Sequence, residues 1–220
     1  MTNYLLAGGG TAGHVNPLLA LADEIKSSAK DNNVYALGTV EGLESKLVAE
    51  RGYQLLTVAR LPMPRKLNLY AIKFPFLFRK SVQKVKQYLK EFDIDIVVGF
   101  GGYASAPAYR AAKALKIPYV IHEANALAGY ANRVGAKSAS AVAITFSNTK
   151  LPNAILTGMP IRKELLSAKT LRTQAATFFD LDENRTTVLV TGGSLGARTI
   201  NLAIEQSRAD LAAAGLQVIH

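Results

Sequence analysis

Tyr4-Leu-Leu-Ala-Gly-Gly-Gly-Thr-Ala-Gly-His-Val-Asn-Pro17 is the stretch from which the fold can be read. Tyr4 to Ala7 is a short apolar run, the pattern of a strand buried on both faces. Three glycines, Thr11, Ala12 and Gly13 follow, and an apolar-periodic segment opens near Asn16. Asn16 before Pro17 reads as a helix start, with an N-cap side chain and then a residue whose missing N–H costs nothing at the first position. Strand, glycine loop and helix start together aim backbone N–H groups and a positive helix end at an anion. His14 sits at the exit of that loop. This is the expected active-site edge of an α/β domain.

The chain on either side supports that class. Asn33–Leu37 and Leu55–Val58 read as strands around a helix containing Leu43, Leu47 and Val48, which Gly52 ends. Later strands are expected at 94–98, 119–122, 141–144 and 154–156, with a second glycine loop, Gly99–Ser105, opening a helix. The alternation predicts a Rossmann-like parallel sheet covered by helices on both faces. Gly158-Met-Pro-Ile-Arg162 has the composition of a hinge. Beyond it, a buried strand at 187–191, the third glycine loop Gly192–Ala197, a helix at 198–213 and a strand from Gln217 begin a second Rossmann-like domain. Two strands and one helix cannot cover their own sheet. The expectation is an N-terminal domain at 1–157 and, at 158–220, a hinge and the incomplete start of another domain.

A 49% apolar fraction suits a globular core, and the absence of cysteine excludes disulfides and thiolate metal sites. The N-terminus runs straight into a strand, so no signal peptide is expected, and no apolar run approaches the roughly 20 residues that span a bilayer. The net charge of +10 is concentrated: residues 51–90 hold ten Lys/Arg and no Asp or Glu. In this block Leu69, Ile72, Phe76 and other large apolar residues alternate with Lys73, Arg79, Lys80 and Lys84, and Pro75 is expected to split it into two helical pieces. Unopposed cations among large apolar side chains predict contact with an anionic membrane surface. The alternatives are a core helix with a solvated basic face, or nucleic acid, for which no recognised binding module is present.

Gly8–Gly13 formally satisfies a dinucleotide fingerprint, yet the second strand ends Leu37-Gly38-Thr39 without the acidic residue that would hold a ribose. No Lys-Ser/Thr closes a loop as a nucleoside triphosphate site requires. Glycines that merely let a strand and helix pack closely would explain one loop, not three. His14, near the carboxyl end of a strand, is a candidate base toward a hydroxyl, the alternative being a helix-start histidine bonded to a carbonyl. Glu123 is a rival base or a helix cap. Asn125 is a sugar ligand or an N-cap, and Arg162 a phosphate ligand or a surface charge. No His/Asp/Glu group has metal spacing, and neither metal nor cofactor is expected.

Gly9-Gly-Thr-Ala-Gly-His14, Gly101-Gly-Tyr103, His122-Glu-Ala-Asn125, Gly158-Met-Pro-Ile-Arg162 and Gly192-Gly-Ser-Leu-Gly-Ala197 resemble, in order and from end to end, the motifs of the MurG family. These are peptidoglycan N-acetylglucosaminyltransferases of the GT-B fold. The resemblance implies inverting transfer of N-acetylglucosamine from UDP-N-acetylglucosamine to lipid I, giving lipid II, by a peripheral enzyme at the cytoplasmic face of the cell membrane. It also implies roles: His14, with Glu123 as rival, as base; Thr11, Ala12, Gly13, Asn125, Arg162 and Ser194 as UDP-N-acetylglucosamine ligands; Gly192, Gly193 and Gly196 as a phosphate loop. The basic block matches the family's membrane-facing surface. Ala12, Ala124, Met159 and Leu195 depart from the familiar motif residues, and family members continue past residue 220. A non-catalytic, membrane-docking acceptor module and a GT-B transferase with another acceptor are the alternatives.

Overall fold

The computed structural model describes residues 1–64, 66–166, 168–193 and 196–220. They form two compact units, Met1–Arg162 and Lys163–His220.

In the first unit the elements are β1 (Asn3–Ala7), α1 (Ala12–Ser28), β2 (Asn33–Gly38), α2 (Glu44–Glu50), β3 (Gln54–Thr57), α3 (Leu69–Glu91), β4 (Ile96–Gly99), α4 (Ser105–Leu115), β5 (Tyr119–Glu123), α5 (Tyr130–Gly135), β6 (Ala141–Ile144) and β7 (Ala154–Leu156). The seven strands are all parallel, in the order β3-β2-β1-β4-β5-β6-β7. Successive residues of a strand face opposite sides, and β1 shows what that does here. Leu5 and Ala7 pack with Val85 and Leu89 of α3 and Ala108 and Ala111 of α4. Leu6 joins Val15, Leu18 and Leu19 of α1 and Val48 of α2 in the opposite core. The α/β, Rossmann-like class is thus borne out.

Two proline readings are corrected. The first helix starts at Ala12, not beyond Asn16, with Thr11 in extended geometry as its N-cap and Pro17 inside it. Pro17 removes only the bond to the Gly13 carbonyl, and burial of Val15, Pro17, Leu18 and Leu19 against the sheet carries the helix through. Likewise α3 is one helix of 23 residues that runs through Pro75. Its start is fixed by Asn68, whose side chain accepts from the Ala71 N–H. Tyr70, Phe74 and Phe78 meet at four-residue intervals across the proline, the first pair edge to face and the second stacked, with ring centroids 6.0 Å apart at each step. No helix among the described residues is long and apolar enough to cross a membrane.

The second unit contains α6 (Lys163–Leu166), α7 (Arg172–Phe178), β8 (Thr187–Leu189), α8 (Arg198–Gln206), α9 (Arg208–Ala213) and β9 (Gln217–Ile219). The parallel pair β8–β9 forms its sheet. The helix expected over 198–213 is divided at Ser207, and the strand expected to be buried exposes Thr187 and Leu189. Two strands have too little neighbouring structure to cover both faces.

Candidate active site

The central strands β1 and β4 send their helices to opposite sides of the sheet, so the loops after them diverge. That divergence opens the crevice at which open α/β sheets bind ligands. Ser105 staples the two loops: its hydroxyl oxygen lies 2.8 Å from the carbonyls of Ala7 and Gly101 and accepts from the Gly101 N–H at 3.0 Å. Gly102 packs so closely on the Gly9 carbonyl that a Cβ would overlap it.

His14 stands in the first turn of α1 with its ring bonded to a carbonyl, the arrangement that its alternative reading described. Its Nδ1 is 3.0 Å from the Gly9 carbonyl oxygen and 3.2 Å from Thr11 Oγ1. A carbonyl only accepts, so in the neutral ring this contact places the proton on Nδ1 and leaves the Nε2 lone pair free. His14 lines a cleft of about 610 Å³ with Gly101, Gly102, Tyr103, Glu123, Asn125 and Asn132. The cleft continues between Phe74 and Phe78 of α3, Pro107 and Arg110 of α4, and Tyr130 and Val134 of α5. One end is thus polar and the other largely apolar.

Glu123 is 2% exposed and spends its carboxylate on the surrounding loop. Oε1 accepts from the Asn125 N–H (2.9 Å) and Nδ2 (3.0 Å), and Oε2 from the Gly129 N–H and Asn132 Nδ2, each at 2.9 Å. Of its two readings, base or helix cap, these bonds resemble the second: Glu123 holds the N–H of Gly129, the residue before α5, and it also orients Asn125. Asn125 is exposed, and its Nδ2 donates to Glu123. Behind Glu123, Tyr109 donates to Asn132 Oδ1 at 2.8 Å. Burial pushes the Tyr109 phenol far above its ordinary range, keeping it a donor.

Thr11, Ala12 and Gly13 form the first turn at the rim and do not line the cleft. Arg162 is exposed at the end of the first unit and does not line it either. Ser194 and Leu195 lie outside the described residues, as does Arg65 of the basic block. In the third glycine loop, Gly196 donates to the Gly193 carbonyl at 2.9 Å just before α8, and Gly192 packs on Ala197. Arg51, counted among the unopposed cations, is paired with Asp23. On α3, Leu69, Ile72, Lys73, Phe76, Arg79, Lys80 and Lys84 are all exposed, whereas Val82, Val85 and Leu89 face the core.

Sequence reasoning missed Asn132, Ser105 and above all Glu44. Glu44 is 1% exposed, and its carboxylate reaches the first glycine loop. Gly9, Gly38 and Gly42 surround it so tightly that a Cβ on any of them would collide with it. The available signal was a pair of glycines, 38 and 42, just ahead of a helix-starting glutamate.

Comparison with known proteins agrees with this architecture. Residues 4–144 match the glycosyltransferase family 28 N-terminal domain. A relative from Clavibacter sepedonicus, named UDP-N-acetylglucosamine--N-acetylmuramyl-(pentapeptide) pyrophosphoryl-undecaprenol N-acetylglucosamine transferase, is 52% identical over all of this chain. The chain spans 61% of that relative's length. The crystal structure of Acinetobacter baumannii MurG is similar over 100% of this chain and 68% of its own, with a TM-score of 0.71 at 28% identity. A UDP-GlcNAc 2-epimerase from Neisseria meningitidis, bound to UDP-GlcNAc, covers 100% of this chain and 72% of its own (TM-score 0.62). At 16% identity it shares the fold alone. The expected kinship with the MurG family is borne out, and with it the GT-B fold class. By its sheet, its glycine loops and the match across residues 4–144, the chain belongs to glycosyltransferase family 28.

Proposed function

We propose that the protein is a glycosyltransferase that moves N-acetylglucosamine from UDP-N-acetylglucosamine to lipid I, undecaprenyl-diphospho-N-acetylmuramoyl-pentapeptide, forming lipid II. The observation that carries this reading is His14: Nδ1 is tied to a backbone carbonyl while the unprotonated Nε2 remains for a hydroxyl in the cleft. The acceptor hydroxyl oxygen attacks the anomeric carbon from the face opposite the leaving group and passes its proton to Nε2. The bond from that carbon to the UDP oxygen breaks, and the configuration inverts. Glu123, engaged by four donors, serves better as the scaffold of Asn125 than as the base.

In this reading Asn125 holds the N-acetylglucosamine unit, with Thr11, Ala12 and Gly13 at the rim. Arg162, Ser194, Gly192, Gly193 and Gly196 serve the UDP part, where N–H groups before a helix stabilise the developing diphosphate charge. Residues 1–157 act as the acceptor and membrane domain, and 158–220 as the hinge and the start of the donor domain. The face of α3 bearing Leu69, Ile72 and Phe76, with Lys73, Arg79, Lys80 and Lys84, rests on the anionic inner leaflet at the cytoplasmic side.

The test is transfer of labelled N-acetylglucosamine from the UDP sugar to lipid I by the full-length protein. Label appearing in lipid II supports the reading. No transfer, with lipid I still bound, overturns it in favour of an acceptor-binding module.

A further inference from the structure

Glu44 has no part in the reaction above, yet it is a buried carboxylate beside the most important loop. Oε1 accepts from the Thr39 N–H at 2.7 Å and its hydroxyl at 2.8 Å, and Oε2 from the Gly10 N–H at 3.0 Å. Burial raises its pKa, but the bonds from Gly10, from its own backbone and from Thr39 outweigh burial and hold the carboxyl below the ordinary glutamate range. It is an internal anion in the place where the sequence pattern suggested an anionic ligand.

The Gly10 N–H and the Gly9 carbonyl belong to one peptide unit. In a trans peptide they point in opposite directions. One end of the Gly9–Gly10 peptide is therefore bonded to Glu44, and the other receives the Nδ1 proton of His14. Glycine on both sides of a peptide lets its plane turn over without a side-chain penalty. We propose that Glu44 is a positioning residue: through the Gly9–Gly10 peptide it fixes the carbonyl that holds His14 in the Nδ1–H tautomer, leaving Nε2 free toward the cleft. The carboxylate also polarises the peptide, making the Gly9 oxygen a stronger acceptor. This inference rests on the reading of His14 as the base.

Glu44→Gln keeps the side-chain volume. Its oxygen goes to the two Thr39 donors, and its amide nitrogen then opposes the Gly10 N–H. Thr39→Val removes one bond to Glu44 but leaves the Gly10 tie, so it serves as the control. Nitrogen-15 NMR of the His14 ring in this chain reads the tautomer directly. The expected result is Nδ1–H in the wild type and in Thr39→Val, and a mixture in Glu44→Gln. In the full-length protein, kcat of Glu44→Gln falls by about tenfold or more, with KM unchanged for both substrates. A folded Glu44→Gln protein whose His14 is still wholly Nδ1–H overturns the proposal. If that variant does not fold, the wild-type Gly10 amide decides: protection from exchange supports the tie, and fast exchange overturns it. Loss of the reading of His14 as the base would show separately, as full turnover by His14→Ala.

Discussion

Nε2 of His14 stands 3.1 Å from the place a Cβ on Gly101 would occupy, so the loop after β4 forms a wall against the ring emerging from α1. The same glycine has φ +92°, which a side chain tolerates poorly. Gly101→Ala should therefore act twice. The backbone strain costs on the order of 1–2 kcal/mol, read as a lowered urea midpoint. Displacement of the ring by a few tenths of an ångström lowers turnover further, by less than the roughly 100-fold that a misplacement of about 1 Å can cost. Unchanged turnover in a folded Gly101→Ala protein would show that the ring need not stand where it does.

His14→Ala removes the proposed base without disturbing a core contact. Transfer by the full-length protein should fall between about 10²- and 10⁴-fold, the usual worth of a positioned base. Binding of UDP-N-acetylglucosamine and lipid I should persist. Steady-state kinetics with direct binding assays separates the two, and loss of binding in place of turnover would move His14 to substrate recognition.

Much of this was legible in the sequence because it rests on local patterns. Apolar runs and glycine loops gave the alternation, and β6 and β7 fall on their expected residues. The prolines misled because the buried residues around Pro17 and the aromatic ladder across Pro75 outweigh one missing hydrogen bond each. The site was only partly legible. His14 and Asn125 stand in motifs, but Glu44 reaches Gly10 across 34 positions and Asn132 is joined to Tyr109 across 23. Contacts of that kind exist only after the sheet has assembled.

Glu123 should act on stability before chemistry. Glu123→Ala strips the partners from two backbone N–H groups and two side-chain amides, of which the Asn132 amide is buried, a loss of about 3 kcal/mol. Denaturant unfolding would register it. The shape of the pH–rate profile should survive in whatever activity remains. A profile that loses its acidic limb would return the role of base to Glu123.

Glu44 gives an acid dependence with a definite sign. Its folded pKa lies below the unfolded value of about 4.3, so its stabilisation is complete above that value and is lost as the pH falls through the lower, folded one. Wild type should lose stability as the pH falls below about 4.3 more steeply than Glu44→Gln, which has no proton to take up. Urea unfolding across that range checks it, and parallel curves would mean that the carboxylate gains nothing from its three donors.

The exposed face of α3 yields the remaining prediction. Leu69, Ile72 and Phe76 are each at least 66% exposed, a poor arrangement in water for an amphipathic helix whose other face already packs on the core. Lys73 and Lys80 lie on the same side by helical spacing, and Lys84 rests with its amine over the Tyr88 ring. A cation near an anionic bilayer contributes about 1 kcal/mol, so reversing Arg79, Lys80 and Lys84 to Glu should weaken sedimentation with phosphatidylglycerol vesicles by on the order of 100-fold or more. Ile72→Ser with Phe76→Ser should weaken it as well, and in a way that added salt does not reproduce, because apolar insertion is not screened. Loss in the charge variant alone would describe electrostatic adsorption without insertion. Unchanged sedimentation in both would make this face an ordinary solvated surface and remove the membrane from the proposed function.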